Sequence, residues 1–416
     1  MLIKRRSPNA NQEESSPKPL QALLSNVHRT LKVSPPTCIT DINMKSYLVG
    51  GAVRDRLLGM TPTEEDWVVV GATEQAMLEQ GFRYLDSDFP VFLHPETGDE
   101  YALARREFKT GVGYKGFTTQ ATPDVSLEED LSRRDLTINA IAEDADGKLT
   151  DPYHGQQDLI QRRLRHITPA FVDDPVRVLR VARFAAYLGQ YGFEVAPETV
   201  LLMQQMSHSD DFNYLKRERV WREFKGSLTT PAPWLFITVL QQCGALQQLM
   251  PLLDQHIETA IPTLKRATAA SDDPAVRFAF LFYWPATIDK TNIKQLCKAL
   301  SAERGFADKL EWVVKNGSLA QALQIDDAEG ALNLFEQSRA IQDPQAFCQL
   351  TQMIHILWPE KGDLITWLSH LLPVVMAITA KKLQHLDLQG RALGDALRQH
   401  RLEAIITVTH SLHSSQ

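Results

Sequence analysis

Two patterns of apolar and polar positions divide the chain. Between Tyr47 and about Asp151, short apolar or alternating runs are bounded by Gly, Pro and Asp, as in "SYLVGG", "DWVVVG", "VFLH" and "EYALARR". Such runs predict strands interleaved with helices. From about Ala170 onward, apolar residues recur at helical spacing and few strand signals remain. The pattern predicts an α+β fold, in which a small β-sheet head with helices is followed by an all-α neck, body and tail.

The same reading gives the domain boundaries. Residues 1–43 are rich in Ser, Pro, Asn, Gln and Lys, and the stretch "RRSPNANQEESSPKP" has a composition typical of disorder. The segment "MKSYLVGG" from Met44 looks like a natural beginning. We therefore predict an extension over residues 1–43, a head over 44–168, a helical neck over 169–250, and a helical body and tail over 251–416.

Charge and cysteine content narrow the possible partners and the compartment. The chain has 416 residues and a formal net charge of −7, so binding of nucleic acid requires a locally basic face. Six arginines against two aspartates lie between Gln161 and Ala186. The four cysteines lack metal-ligand spacing, no run of 18 apolar residues exists, and the N-terminus lacks the apolar core of a signal peptide. We predict a cytoplasmic protein with reduced thiols and no membrane segment.

The stretch "YLVGGAVRDRLLGMTPTEEDWVVVG" combines two features that suit a nucleoside triphosphate. The double glycine that ends at Gly51 opens a short helix, where backbone N–H groups and the guanidinium of Arg54 can bind phosphate. In a strand alternate side chains share a face, so we expect Glu64 and Asp66 on one face and Glu65 on the other. Paired carboxylates are a natural site for Mg²⁺, although a lone acidic triplet is more often a solvated turn.

A further polar cluster lies in "SRRDLTINA". Its spacing places Arg134, Asp135 and Asn139 near one another at a helical start, which supplies a cation for phosphate and polar groups for a ribose. Taken in isolation, the same piece reads as a surface helix with polar pairs four residues apart. The nucleotide-binding interpretation of this cluster is favoured only in combination with the phosphate-binding and metal-binding features that precede it in the sequence.

The segment "DDPVRVLRVARFAA" suggests how a base is selected. Pro175 suits the first helical position, so Asp174 is expected at the N-cap. Arg177, Arg180 and Arg183 then form a basic face, and the core stripe consists of Val178, Leu179 and Ala182. A structural interpretation is simply a capped helix. Functionally, a carboxylate accepts from an exocyclic amine while a guanidinium donates to the ring, an order that cytosine and adenine match and uracil and guanine reverse.

These segments occur in a recognisable order. "LVGGAVRDRLLG", "EEDWVVVG", "EYALARREFKTGVGYKGF", "DLSRRDLTINAIA", "DPYHGQQDLIQRRLRHI", "DDPVRVLRVARFAA" and "RERVWREF" follow one another between about Tyr47 and Leu253. Together they resemble the signature of the nucleotidyltransferase superfamily, in the branch of class II tRNA nucleotidyltransferases (CCA-adding enzymes) and bacterial poly(A) polymerases. The resemblance implies a nucleotidyltransferase head, a neck with a nucleotide-selecting motif, and a tRNA-binding body and tail.

The resemblance also assigns roles to residues of this chain. It implies that Glu64 and Asp66 are catalytic and hold Mg²⁺, and that Gly51 and Arg54 bind the nucleotide. It further implies contacts of Arg134 with the triphosphate, and of Asp135 and Asn139 with the sugar. Asp174 and Arg177 are implied for the incoming base, and Arg180 and Arg183 for nucleotide binding.

The chain departs from the family pattern at three points. The family's Asp-x-Asp pair is here Glu64-x-Asp66, with Glu100 as a candidate third carboxylate, and the usual Glu-Asp of the selecting motif is Asp173-Asp174. Close bacterial relatives often carry a phosphohydrolase domain with a His-Asp pair, which the corresponding run "VRFAFLFYWPATIDK" lacks. We predict no phosphohydrolase activity and no second metal site.

The leading hypothesis is template-independent addition of CCA to tRNA 3′ ends from CTP and ATP. Gly111, Gly113 and Gly116 form a glycine-rich loop that the resemblance associates with the switch to adding A, which favours full CCA addition. Alternatives are a poly(A) polymerase, a partial enzyme that adds only CC or only A, and a catalytically degenerate tRNA-binding paralogue. No membrane partner is expected, and a monomer is favoured.

Overall fold

A computed structural model describes residues 44–85, 89–111, 116–284 and 288–414. Two compact units result, of which the first ends at Phe171 and the second begins at Val172. The predicted extension over residues 1–43 and Gly113 of the glycine-rich loop lie outside the described residues. The predicted α+β class is confirmed, because a mixed sheet with helices occupies the first unit and helices dominate the second.

The first unit contains ten strands, four α-helices and a 3-10 helix over Thr137–Asn139 among its described residues. The strands are β1 (Lys45–Val49), β2 (Asp66–Val70), β3 (Arg83–Leu85), β4 (Val91–Leu93), β5 (Glu100–Leu103), β6 (Arg106–Lys109), β7 (Phe117–Gln120), β8 (Ala142–Glu143), β9 (Leu149–Thr150) and β10 (Arg163–Leu164). The helices are α1 (Gly51–Leu57), α2 (Glu74–Glu79), α3 (Leu127–Ser132) and α4 (Gly155–Gln161).

The second unit is built from helices, with β11 (Glu194–Val195) as its strand among the described residues. The helices are α5 (Val176–Leu188), α6 (Pro197–Ser207), α7 (Asp210–Asn213), α8 (Arg217–Leu228), α9 (Pro233–Gln242), α10 (Ala245–Leu249), α11 (Pro251–Gln255), α12 (Ile257–Ala270), α13 (Pro274–Leu281), α14 (Lys290–Leu300), α15 (Arg304–Ala322), α16 (Ala328–Ser338), α17 (Pro344–Leu357), α18 (Gly362–Ala377) and α19 (Gly390–His413).

The main sheet of the first unit has seven strands in the order β3-β4-β5-β2-β1-β8-β9. The central strand β2 runs antiparallel to β1 and parallel to β5. Its successive valines point to opposite faces: Val68 joins a core cluster with Leu131, while Val69 joins another with Met77 and Phe92. Because both faces are covered, the strand reads as a continuous apolar run rather than as an alternating one.

Helix α5 of the second unit buries the core stripe expected from its sequence. Val178, Leu179 and Ala182 are all fully buried. The helix packs against α8 and α9. The prediction of a helix with a basic face and an apolar stripe is therefore confirmed, and the arginine-bearing side is left half-buried rather than fully solvated.

An aromatic core fills the part of the second unit where α8, α13 and α15 meet. The Trp221 and Phe306 rings lie 4.8 Å apart between centroids, and the Phe278 and Phe282 rings 4.7 Å apart. The run "VRFAFLFYWPATIDK" supplies Phe278 and Phe282, so its described aromatic residues serve the core.

Arg277 ties this core to the end of α8. Its buried guanidinium donates to the carbonyl oxygens of Leu228 and Thr230 at 2.7 and 3.0 Å, and to that of Ser271 at 2.7 Å. A cation suits the unsatisfied carbonyl groups at helix C-termini. Arg277 therefore anchors the end of α8, the helix whose first turn contributes to the site described below.

No single described helix is both long and apolar enough to cross a membrane. Gly362–Ala377 and Ala380–Leu386 meet that condition only when taken together, across a bend of 52°.

Candidate active site

The edge of the sheet where β1 ends and β2 begins gathers the polar residues of the head. Val49 pairs with Asp66, which is the last residue pair of the two strands, because the chain turns at Gly50 into α1. Gly50 has φ +70°, and a Cβ placed there would meet Nη1 of Arg134 at 2.8 Å. Both the backbone conformation and the close approach of the guanidinium therefore require glycine at this position.

The two candidate metal ligands lie at this edge, although not as the sequence predicted. Asp66 is the first residue of β2, whereas Glu64 precedes the strand, so the expectation that both alternate within one strand is wrong. The strand cannot extend to Glu64, because β1 offers no pairing residue beyond Val49. Glu65 accepts a hydrogen bond from Arg56 on α1. Its side chain is thus engaged away from Glu64 and Asp66, as expected for the residue that faces the other way.

Electrostatic coupling shows that Glu64 and Asp66 still act on each other. Desolvation raises the pKa of Asp66 above its ordinary value, Arg134 opposes that rise, and the neighbouring charge of Glu64 adds to it. Both carboxylates remain accessible to solvent. A bound cation would stabilise the charged form of Asp66 beside the Glu64 carboxylate.

Glu100 lies beside this pair. It is in register with Asp66 across the parallel β2–β5 ladder, so the two side chains leave the same face of the sheet. Within the described ranges, no group of three or more His, Cys, Asp or Glu side chains has a geometry that could hold a metal ion. Glu64 and Asp66 nevertheless fit Mg²⁺, because this ion commonly takes one or two protein carboxylates and completes its shell with substrate phosphates and water.

Three of the predicted nucleotide-binding residues form one buried polar chain. Arg54 donates from Nε to Asp55 at 2.8 Å and from Nη1 to Oδ1 of Asn139 at 2.7 Å. Asn139 donates in turn from Nδ2 to Oδ1 of Asp135 at 2.9 Å. These side chains are only 5–6% exposed, so each fixes the orientation of the next.

Arg134 is held by a carboxylate that the sequence did not single out. Asp130 is fully buried and accepts from Arg133 at 2.8 Å and from Arg134 at 3.4 Å. Burial alone would raise the pKa of Asp130, but the charges of Arg133 and Arg134 outweigh it and hold that pKa below its ordinary value. The signal was present in the sequence, since Asp130 and Arg134 are four residues apart around the end of a helix.

Arg134 also retains unused donor capacity. Its Nε is buried and has no hydrogen-bond partner among the described residues. Desolvation lowers the pKa of Arg134, so an anion that replaces the lost solvent would stabilise its charge. The Nη1 end of the same guanidinium lies beside Gly50, and its charge acts on Asp66, so the group is placed as a phosphate-binding cation would be.

In the second unit, Asp174 is fixed by a partner from α8. Arg219 donates to both carboxylate oxygens, from Nη1 to Oδ1 at 3.0 Å and from Nη2 to Oδ2 at 2.8 Å. The backbone N–H of Val176 donates to Oδ1 at 3.1 Å. The helix begins at Val176 with Pro175 at its N-cap, so the prediction of Asp174 at the N-cap is wrong by one residue. The Asp174 carboxylate instead accepts from the N–H of Val176, the first helical residue.

These contacts leave Asp174 with a defined remaining capacity. An ionised carboxylate offers about four acceptor positions, and Arg219 and Val176 occupy three of them. Among the residues that the structure describes, the position left over is on Oδ2. The sequence analysis missed Arg219, although its motif "RERVWREF" contains it, because nothing in the linear pattern links a helix start to a residue 45 positions away.

The remaining arginines of α5 differ in their surroundings. Arg183 donates from Nε to the buried Glu223 of α8 at 2.7 Å, and its guanidinium lies 5.1 Å from the Phe184 ring centroid. Arg180 lies 5.8 Å from the same centroid, and Arg177 is half-buried at the start of the helix. Arg183 thus joins α5 to α8, while the nucleotide-binding roles of all three arginines stay predictions.

Comparison with known proteins gives consistent matches. Residues 46–165 match the family model of the poly A polymerase head domain, and residues 192–257 match the model described as a probable RNA and SrmB-binding site of polymerase A. A CCA-adding enzyme of Pseudomonas putida strain W619 is 45% identical over 365 residues, which is 87% of this chain and 98% of that protein. A multifunctional CCA protein of Pseudomonas putida strain KT2440 is 45% identical with the same coverage.

Solved structures agree on the fold. A CCA-adding enzyme in complex with ATP aligns with a TM-score of 0.64 at 21% identity, over 87% of this chain and 86% of that one. A CCA-adding enzyme with CTP aligns with a TM-score of 0.60 at 23% identity, over 87% of each chain. At these identities the structural likeness shows the nucleotidyltransferase fold, which was expected for the head.

Gly50→Ala tests the close approach of Arg134, with Gly81→Ala as its matched control. Both glycines have positive φ, +70° and +84°, but a Cβ at Gly81 has nothing within 4 Å. We expect Gly81→Ala to lower the free energy of unfolding by about 1 kcal/mol. Gly50→Ala should cost roughly 1–3 kcal/mol more, because Arg134 must move and because ψ of −126° places Gly50 outside the left-handed region that alanine can adopt. Urea unfolding measures both; equal losses would contradict the role of Gly50 in seating Arg134.

Proposed function

The chain belongs to the family of CCA-adding enzymes, and from this premise we propose how its residues perform the reaction. It is a CCA tRNA nucleotidyltransferase: without a template, it adds CCA to tRNA 3′ ends from CTP and ATP and releases pyrophosphate. The observation that carries the assignment is 45% identity over 98% of a CCA-adding relative. Enzymes of this family use a divalent metal, and we assign Mg²⁺ because two exposed carboxylates suit an oxygen-loving cation.

In the head, Glu64 and Asp66 would hold the metal, with Glu100 beside them. When bound, the metal would neutralise charge on the phosphates and would activate the attacking hydroxyl. Arg134 provides a guanidinium for the triphosphate, since its side chain keeps 18% of its surface exposed, and we keep Gly51 and Arg54 in the same phosphate-binding role. The RNA 3′ hydroxyl attacks the α-phosphate in line with the departing pyrophosphate.

Asp135 and Asn139 position the sugar through the buried chain that starts at Arg54. Because the side-chain amide of Asn139 is held at both ends, it presents a fixed orientation rather than adapting to each ligand. Besides its phosphate-binding role, Arg54 positions Asn139, since its Nε and Nη1 donate to Asp55 and Asn139.

Asp174 and Arg177 select the base. The acceptor position left on Oδ2 of Asp174 takes the exocyclic amine of cytosine or adenine, and Arg177 donates to the ring. Uracil and guanine present the reverse order and would leave a buried group unpaired, which is costly. Arg180 and Arg183 complete the basic face of α5, and Arg183 does so from its ion pair with Glu223.

We place the enzyme in the cytoplasm as a monomer. The described cysteines are all free thiols, as expected of a reducing compartment. tRNA is the macromolecular substrate that the proposed reaction requires.

Incorporation into a tRNA that lacks CCA tests the function. We expect CTP alone to add two residues, ATP alone to add none, and the two together to complete CCA and stop. Gel analysis of each nucleotide separately and in combination gives the answer. Long tails from ATP alone would instead identify a poly(A) polymerase, and arrest after CC a partial enzyme.

Glu64 distinguishes an active enzyme from a degenerate paralogue. Because Glu64 precedes β2, its longer side chain starts outside the strand and can still reach the metal position, so Glu64→Asp is not expected to raise kcat/KM. Glu64→Gln should lower kcat/KM roughly 100-fold through loss of a metal ligand. Glu65→Gln is the matched control and should change kcat/KM less than about threefold. A large gain in Glu64→Asp would support degeneration.

Arg219→Lys tests the fixed orientation of Asp174. A lysine cannot donate to both oxygens, so the carboxylate gains freedom and base discrimination weakens. We expect kcat/KM for CTP and ATP to fall roughly tenfold relative to that for UTP and GTP. Asp174→Asn supplies the control, since adding Arg219→Lys to it should have little further effect on discrimination. Additive losses would show that Arg219 acts elsewhere.

A further inference from the structure

Three arginines surround two carboxylates where α3 ends beside the connection from β5 to β6. Arg105 precedes β6 and Glu107 lies within it. Asp130 belongs to α3, and Arg133 and Arg134 follow that helix directly. None of the five side chains is more than 23% exposed, so solvent screens their ion pairs only weakly. Arg134 serves the reaction proposed above, whereas Glu107 has no part in it.

Asp130 divides its two oxygens between different partners. Oδ1 accepts from Nε and Nη2 of Arg133 at 3.0 and 2.8 Å, and from the backbone N–H of Arg105 at 3.3 Å. Oδ2 accepts from Nη2 of Arg134 at 3.4 Å. A carboxylate oxygen offers about two acceptor positions, so Oδ1 is fully occupied. The bond that orients Arg134 is the longest of the four, and it is therefore the one most easily lost.

Arg133 is the natural competitor for Oδ2 of Asp130. A guanidinium pairs best with a carboxylate when two parallel hydrogen bonds reach both oxygens. Here, Nε and Nη2 of Arg133 share Oδ1 instead, which leaves Oδ2 to Arg134. Glu107 holds the third nitrogen, because its Oε1 accepts from Nη1 of Arg133 at 3.0 Å. The guanidinium cannot turn toward Oδ2 without breaking that bond.

Glu107 is itself fixed by Arg105. Nε of Arg105 donates to the same Oε1 at 2.9 Å, and its guanidinium carbon lies 3.4 Å from the centroid of the Phe89 ring. Burial lowers the pKa of Arg105 to about 10, the charge of Arg133 lowers it further, and the charge of Glu107 opposes both. The Glu107 carboxylate thus separates two poorly solvated cations. Without its charge they would repel each other, and Arg133 would move further onto Asp130.

We propose that Glu107 is a positioning residue for the nucleotide triphosphate: it keeps Arg133 on one oxygen of Asp130 and so reserves the other oxygen for Arg134. The inference rests on the proposed function, in which Arg134 contacts the triphosphate, and it extends that function by a residue that acts through two others. The charges of Asp66 and Asp135 also act on Arg134. A test must therefore separate the orientation of Arg134 from the charge around it.

The affinities of the full-length protein for CTP and CMP, measured by calorimetry with Mg²⁺ and without tRNA, make that separation. Glu107→Gln should weaken CTP binding about tenfold and CMP binding less than about twofold, because CMP lacks the outer phosphates. A pure charge effect has the opposite sign, since removal of a negative charge favours the more anionic CTP. A CTP affinity equal to or above that of the wild type would overturn the proposal.

A double-mutant cycle tests whether Glu107 acts through Arg134. Arg134→Lys keeps the charge but loses the planar group that Asp130 orients, so it should weaken CTP binding about tenfold by itself. Adding Glu107→Gln to Arg134→Lys should then change the CTP affinity less than about twofold, because no guanidinium remains to be oriented. Losses that multiply would show that Glu107 acts on the nucleotide by another route, and would refute the proposal.

A second-site change tests the competition itself. Arg133→Met removes the competing donors and also the repulsion with Arg105. Added to Glu107→Gln, it should restore the CTP affinity to within about threefold of the wild type, since Arg134 regains Oδ2. This variant stays informative if Glu107→Gln alone folds poorly. A folded double variant that binds CTP as weakly as Glu107→Gln would contradict the competition.

Glu129→Gln is the matched control. Glu129 precedes Asp130 on α3 and accepts from Nε and Nη2 of Arg106, the residue of β6 next to Glu107, at 2.8 and 3.0 Å. The substitution removes the same charge and breaks an arginine–glutamate pair of the same strand. Because none of these bonds reaches Oδ2 of Asp130, the ratio of CTP to CMP affinity should stay as in the wild type. An equal loss in this control would overturn the proposal.

Failure of this inference is distinguishable from failure of the proposed function. If Arg134→Lys lowers the ratio of CTP to CMP affinity while Glu107→Gln does not, Glu107 is not a positioning residue and the role of Arg134 stands. If Arg134→Lys leaves that ratio unchanged, the triphosphate contact of Arg134 is wrong, and the role of Glu107 is wrong with it.

Discussion

The pairing of Val49 with Asp66 is the constraint on which the head depends. Two antiparallel strands bring the end of one to the beginning of the other, so the turn at Gly50 and the first carboxylate of β2 share one edge of the sheet. A shift of one residue would turn Val68 and Val69 to the wrong faces and break both core clusters. The buried valines therefore fix the register of the two strands, and the register brings Gly50 and Asp66 to the same edge of the sheet.

Within each of the two units, candidate functional arginines are paired with carboxylates. Asp130 holds Arg134, Glu223 holds Arg183, and Asp174 is itself held by Arg219. A buried guanidinium without a partner would be costly, but one that is fully satisfied would have nothing left for a ligand. Among the described residues, Arg134 keeps one buried donor without a partner and Asp174 keeps one acceptor position. Each of these two side chains is therefore held in a fixed orientation and still has a hydrogen-bonding position to spare.

The sequence predicted the parts of the structure that follow local rules. The helix over Val176–Leu188 and its apolar stripe follow from helical periodicity, and the glycine at position 50 follows from a strand that turns directly into a helix. The placement of Glu64 did not follow, because whether a strand continues depends on whether its neighbour still offers a pairing residue. Arg219, Glu223 and Asp130 were missed for a related reason: their importance lies in contacts that the linear order does not display.

If Asp174 selects the base as proposed, its relation to Arg219 shows why selection without a template would need a network rather than a pair. A freely rotating carboxylate could present either oxygen, and a base edge that differs by one donor would then be discriminated poorly. Two parallel hydrogen bonds from a planar guanidinium remove that freedom, and the helix N-terminus at Val176 occupies one further position. In the proposed role, selectivity would depend on the hydrogen bonds that Asp174 already makes, because the one acceptor position that the described residues leave on it has a fixed direction before the nucleotide arrives.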